Sequence, residues 1–192
     1  MKTQADQHAA TELFLYIQNT GELYDRRTTA IIGNLGAKIA KQAYDADKAL
    51  TLWGYLADEG AKIHTKEHGG GFGFDKATRQ ETARQLQEYY QGHVEDDAAE
   101  RIGPETVRVA AYDYGRDSNG NPTAHYSVDS GQVTGRRVQT GYDSHHYKNG
   151  AYHALKKAGF KPEWYDLDAA TLEGGRSDGE TRAYWRRQPI KA

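Results

Sequence analysis

The sequence predicts an α+β protein: an N-terminal all-α four-helix module, then a small antiparallel domain of order βββα with a ββ tail. Three observations carry this. Apolar residues recur every three or four positions from Leu13 to Val94, the period of a half-buried helix. After Gly103-Pro104 the period becomes two: Val107, Val109 and Ala111 alternate with Arg108, Ala110 and Tyr112. The run Asp117-Ser118-Asn119-Gly120-Asn121-Pro122 is a turn, because Asn-Gly readily supplies positive φ. The two modules are expected over residues 1–98 and 104–192.

A first helix is predicted after Thr11, a residue type suited to N-capping, with Leu13, Phe14 and Ile17 facing inward. Asn19-Thr20-Gly21-Glu22 breaks it. A second helix from about Glu22 to Ala43 carries Leu23, Ile31, Leu35 and Ile39 near one face. Asp45 or Asp47 caps a third, with Leu50, Trp53, Leu56, Ala57 and Ile63 inward. Gly69–Gly73 ends it. Asp75 starts a fourth helix with Ala83, Leu86, Tyr90 and Val94 on its inner face. None of these faces is stable in water alone, so the four are expected to pack together. Glu95–Glu105 has the composition of a linker or frayed helix end. Strands are then expected at Val107–Tyr112, Ala124–Asp129 and Val133–Gly141. A helix follows from about Ser144 to Ala158, closed by Gly159 at its C′ position. Trp164–Leu167 and Thr181–Gln188 are the expected final strand pair.

Composition narrows the function. Apolar residues make up 37% and mean hydropathy is -0.91, so the core is modest. Tyr, at 14 residues, is the main aromatic, and it suits polar surfaces and interfaces. The absence of cysteine excludes disulfides, thiolate metal sites and a Cys nucleophile. The polar start MKTQADQHAA lacks the apolar stretch of a secretory signal, and no run approaches the roughly 20 apolar residues of a membrane span. A cytoplasmic protein with no membrane partner is expected. Residues 1–100 hold 11 Lys and Arg against 16 Asp and Glu, whereas residues 101–192 hold 14 against 11. That asymmetry suits two modules with different partners, and equally a helical surface that simply carries more carboxylates.

The segments TELFLYI (11–17), IIGNL (31–35), YDADKA (44–49) and LWGYLADEGAK (52–62) resemble, as a set, a small helical domain of tailed-phage proteins. The resemblance spans residues 11–94, with Ala30 where that domain usually has Pro. It implies phage origin and a four-helix fold, and no activity. In outline, residues 106–159 are similar to the βββα part of a double-stranded-RNA-binding domain. Such domains grip phosphates with a basic helix N-terminus. Here that place reads Ser144-His145-His146-Tyr147-Lys148-Asn149, one lysine and two largely neutral histidines.

His64-Thr65-Lys66-Glu67-His68 matches H-x-x-E-H, in which two histidines one turn apart bind zinc and Glu polarises water. These residues are the candidates for a metal-dependent hydrolase. Against that stands their place at a helix end running into glycines, where the helix dipole favours His and Lys in any case. Such places are also not usually His in the phage domain. Five-residue motifs of this kind recur by chance, so no metal or cofactor is expected. His145 and His153 lie two turns apart, too far to share an ion. Gly69–Gly73 lacks the Gly-Lys-Ser/Thr ending of a phosphate loop, and no G-x-S-x-G occurs.

The strongest binding feature is the tail, with Arg182, Tyr184, Trp185, Arg186 and Arg187, extended by Arg136, Arg137 and Lys148. Arg interleaved with aromatics suits phosphate and base stacking. It suits a protein interface as well, and a solubilising edge strand with Trp185 in the core. The expectation is a non-catalytic, phage-encoded protein acting in the host cytoplasm. It would bind and inhibit a host protein or ribonucleoprotein complex that handles nucleic acid or serves defence, in the manner of anti-CRISPR or antirestriction proteins. Direct nucleic-acid binding is the alternative.

Overall fold

The computed structural model describes residues 4–69, 73–116, 122–130, 138–143, 152–153, 155–166, 171–173 and 180–190. The chain divides into two compact units, Met1–Ala99 with Ile190–Ala192, and Glu100–Pro189. Regular structure described in the first is entirely helical.

Helix α1 spans Gln4–Asn19 and so begins seven residues before Thr11. Thr11 is inside it, its hydroxyl donating to the Gln7 carbonyl at 3.0 Å, which excludes the capping role expected of it. The helix extends back because Ala9 and Ala10 favour helix and Ala10 joins Leu13 and Ile17 in the buried stripe.

The second helical segment departs from a uniform 3.6 period. Leu23–Thr28 is a π-helical turn, followed by α2 at Thr29–Ala40. Leu23 and Thr28, five apart, are both buried, and the Thr28 hydroxyl donates to the Leu23 carbonyl at 3.2 Å. The added residue shifts the phase of everything after it. Leu35, Gly36, Ile39 and Ala40 are consequently buried, while Ile31, expected on the same face, is only half-buried. Gln42 (φ 54) ends the segment, with its amide donating to Ile39 and that of Ala43 to Lys38.

Helix α3, Ala46–His68, is capped by Asp45, which accepts from the amides of Asp47 and Lys48. Helix α4, Lys76–Ile102, is preceded by Asp75, whose Oδ1 accepts from the Thr78 amide at 2.7 Å. These amide bonds hold both carboxyls below the usual range. Residues 95–102 are thus helix rather than linker. Ala98 and Ile102 extend the buried fourfold series of Leu86, Tyr90 and Val94, so the acidic surface of this stretch conceals an apolar stripe.

The helical core forms where α3 crosses its neighbours. Trp53 stacks on Tyr90 with centroids 5.5 Å apart. A methyl group on Gly60 would lie 2.6 Å from Ile17 Cγ1, and one on Gly36 would collide with the Asp97 side chain.

The second unit holds a five-stranded antiparallel sheet of order β3-β2-β1-β5-β4. Its strands are β1 Thr106–Arg116, β2 Pro122–Ser130, β3 Val138–Asp143, β4 Thr171–Glu173 and β5 Glu180–Arg186. Trp164 closes a short 3-10 turn, Pro162–Trp164, and the segment after it meets the end of β5 only as an isolated antiparallel bridge, Tyr165 with Arg187; the strands flanking β5 are β1 and β4. Tyr152, His153 and Leu155–Lys157 are helical. Gly159 (φ 88) and Phe160 terminate that turn by donating to Lys156 and Leu155. The remainder of the helix expected from Ser144 lies outside the described residues.

Replacing Gly60 by alanine is expected to cost about 1–3 kcal/mol by overpacking Ile17. Gly54→Ala, also within α3 but with nothing within 4 Å of the added carbon, is expected to gain up to about 1 kcal/mol from helix propensity. Urea denaturation of the two variants checks the sign difference.

Candidate functional site

The HxxEH motif occupies the last turn and a half of α3. His64 lies eleven residues after Trp53, three helical turns, and therefore on the same buried stripe. Its ring meets the edge of Tyr16 (4.8 Å) and of Phe74 (5.0 Å) and lies 4.6 Å from the His68 ring. Its Nε2 is 3.9 Å from Glu12 Oε1. Glu67 accepts a 2.6 Å hydrogen bond from the Tyr16 hydroxyl and stands 3.9 Å from His68 Nε2. Burial, then the Glu67 hydrogen bond, pushes the Tyr16 hydroxyl pKa up. Among the described residues no three His, Asp or Glu side chains are placed to hold a metal ion. Here His64 is a core residue, whereas His68 and Glu67 are exposed at the helix end. The spacing from Trp53 was the signal for its burial.

The tail residues divide by register. Directly opposed strand residues share a face. Position 185 pairs with Val107, which is fully buried, and therefore lies on the core side of the sheet. Positions 182, 184 and 186 pair with Ala110, Arg108 and Thr106 on the other face. That face also receives Tyr112, His125, Ser127 and Asp129. Two of its arginines stand opposite carboxylate positions, Arg108 beside Asp129 and Arg182 beside Glu173. Arg186 is exposed at the strand end. Arg136, Arg137 and Lys148 lie outside the described residues.

Arg187 has a structural part. Its guanidinium donates to the Gly103 carbonyl at the end of α4, and its amide donates to Glu105 at 2.7 Å. Beside it the Tyr165 hydroxyl donates to the Pro104 carbonyl at 2.7 Å. Gly103 (φ 113) is required here, because a Cβ would sit 2.6 Å from Phe160. Burial pushes the Tyr165 hydroxyl up to about 12, against the lowering effect of Arg187.

One surface was not legible in the sequence. Tyr24 on the π turn and Tyr89 on α4 are 41% and 57% exposed, as is Leu15 on α1 at 48%. Phe14 meets Tyr89 edge to face at 5.4 Å, and Tyr89 meets Tyr90 at 5.0 Å. Gln18 Nε2 donates to the Tyr90 hydroxyl at 3.4 Å, and His93 lies 5.6 Å from the Tyr90 ring. Elsewhere on the helical unit, a groove of about 480 Å³ runs between α3 and the start of α4, bounded by Tyr55, Lys76 and the 2.6 Å Arg79–Asp58 pair. A smaller one of about 260 Å³ has Ala30, Ile31, Leu52 and Leu56 on its floor.

No family of known proteins, no curated protein and no solved structure matches the chain. No helix among the described residues is long and apolar enough to cross a membrane.

Two outcomes follow from this geometry. Tyr165 has an ordinary pKa of 10.0 and a folded value of about 12. Its contribution to stability is therefore complete below pH 10 and is lost as pH rises through about 12. Tyr165→Phe should cost about 1 kcal/mol at neutral pH and flatten that alkaline fall in denaturation curves. His64→Ala should destabilise by roughly 1–3 kcal/mol, and a chelator should leave the wild-type Tm unchanged. Elemental analysis near one zinc per chain, lost in the variant, is the contrary result.

Proposed function

We propose that the chain is a non-catalytic, phage-encoded interaction protein acting in the host cytoplasm. It binds and disables a host protein or ribonucleoprotein complex that defends the cell or handles nucleic acid, in the anti-CRISPR or antirestriction manner. The mechanism is occlusion. The second unit is an α+β domain of βββα order closed by a ββ tail, and the polar face of its sheet, with Tyr184 and Arg186, supplies one contact surface. The phage origin rests on the residues of the helical module that resemble tailed-phage proteins.

The observation that supports a protein target over nucleic acid is the pairing across that face. Register sets position 108 opposite 129 and position 182 opposite 173, so two arginine positions have carboxylate positions as strand neighbours. Phosphate backbones select unopposed cations, because affinity comes from each phosphate neutralised. A surface of mixed charge with Arg and Tyr is the composition of a protein interface. The packing of His64 against Tyr16 and Phe74 favours this reading over the metal-hydrolase alternative.

Capture from infected host lysate should yield a protein partner that survives nuclease treatment. Tyr184→Ala should weaken that complex by roughly 2 kcal/mol or more. Gel shifts with duplex DNA, duplex RNA and single strands should show only weak, salt-sensitive binding. Submicromolar binding at physiological salt, abolished by Arg182→Ala with Arg186→Ala, would promote the nucleic-acid binder. Arg187 is unsuitable for this test because it holds the Gly103 carbonyl.

A further inference from the structure

Among the described residues Tyr89 is exposed against the Tyr90 ring, and two further exposed large side chains, Leu15 on α1 and Tyr24 on the π turn that follows it, belong to the same helical unit. Leu15 stands beside Phe14, which touches Tyr89, and one turn before Gln18, which holds the Tyr90 hydroxyl. Tyr24 stands at the start of the π turn, directly after the end of α1 that bears Gln18, its amide donating to the Thr20 carbonyl at 3.0 Å. His93 closes the patch along α4. Exposed aromatic clusters of this kind cost solvation and mark contact surfaces.

Its charged surroundings are one-sided. From Gln85 to Ala99, α4 carries Glu88, Glu95, Asp96 and Asp97 and no Lys or Arg. Asp96 lies seven residues after Tyr89, on the same exposed stripe as His93. The cations on the adjoining turns are drawn to other carboxylates: Arg27 to Glu59 at 3.2 Å, Arg26 to Glu22 at 3.9 Å and, one turn before Glu88 on α4, Arg84 to Glu81 at 3.4 Å. Tyrosine rings ringed by carboxylates attract cations through the ring quadrupole and direct ion pairs together. The same carboxylates repel phosphates.

We infer that the Leu15–Tyr24–Tyr89 surface docks a lysine- or arginine-rich protein surface, of the kind with which nucleic-acid-handling proteins hold phosphates. Cationic side chains lie over Tyr24 and Tyr89, their aliphatic stems cover Leu15, and Glu88 and Asp96 meet their charges. The inference rests on the proposed function and specifies its mechanism: the helical unit occupies the basic surface that nucleic acid would otherwise cover.

The test titrates the full-length protein with a synthetic lysine/arginine–alanine peptide. Tyrosine fluorescence and calorimetry follow binding at low and physiological salt. The glutamate–alanine counterpart and single-stranded DNA serve as comparisons. Only the polybasic peptide should bind. Tyr24→Ala with Tyr89→Ala, both exposed, should keep the wild-type Tm and weaken binding at least tenfold. Glu88→Gln with Asp96→Asn should weaken it less and reduce the salt dependence. If the tyrosine pair fails to fold, Leu15→Ser and the carboxylate pair decide the matter, each expected to weaken the peptide. Arg186→Ala should have no effect. Unchanged peptide binding by the folded patch variants would overturn the surface. So would DNA or glutamate-peptide binding lost in them, or a dimer that they dissolve. A nuclease-resistant host complex that persists in patch variants but is lost in Tyr184→Ala would remove this surface and leave the broader function standing. No protein partner in any form would remove both.

Discussion

The crossing of α1 over α3 at Gly60 sets the geometry of the helical unit. With Ile17 Cγ1 2.6 Å from where a methyl group would stand, the two backbones approach as closely as side chains permit. From that approach the rest follows. Tyr16, one residue before Ile17, comes within reach of His64, Glu67 and His68 one turn and more beyond Gly60. A motif that resembles a metal site thereby becomes an aromatic and hydrogen-bonded clasp between two helices. The cysteine-free, low-hydropathy composition leaves few large apolar groups for the purpose, so a buried histidine and a tyrosine hydroxyl take places that aliphatic residues hold in richer cores.

The π turn at Leu23–Thr28 has two consequences that share one cause. A turn with an added residue rotates the following helix, which turns Leu35 and Ile39 inward and leaves Ile31 half-buried. It also places Tyr24 outside, while Leu23 and Thr28 both face the core. The buried hydroxyl of Thr28 tolerates this because the Leu23 carbonyl accepts from it. The irregular turn and the exposed aromatic surface are thus products of a single local choice. Turns of this type occur often at functional positions.

In the second unit, antiparallel register sorts the tail into two roles. Alternation puts position 185 with buried Val107, and positions 182, 184 and 186 with the polar face. Arg187, one residue past the strand, serves neither face: it holds the Gly103 carbonyl beside the Tyr165–Pro104 hydrogen bond. A row of residues that looks like one basic-aromatic patch when written in a line is divided between two sheet faces and a scaffold position.

Local chemistry sufficed where a feature depends on neighbours in the chain. Asp45 and Asp75 as caps, the stripe Leu86–Tyr90–Val94 and the positive φ of Gly159 were all legible, because capping, periodicity and glycine's freedom act over a few residues. The linker or frayed helix end expected over 95–105 is firm helix as far as Ile102 for a related reason: its charged residues masked Ala98 and Ile102, whose spacing continues the buried series. Other features depend on partners distant in sequence. The burial of His64, the register that sets positions 108 and 182 opposite carboxylate positions, and the meeting of Phe14 with Tyr89 each require two elements to meet. The sequence by itself determined which residues favour helix, cap or turn. Only the tertiary structure decided which faces meet and which stay in water, because helix phase and strand register are settled by packing between elements that the chain order leaves open.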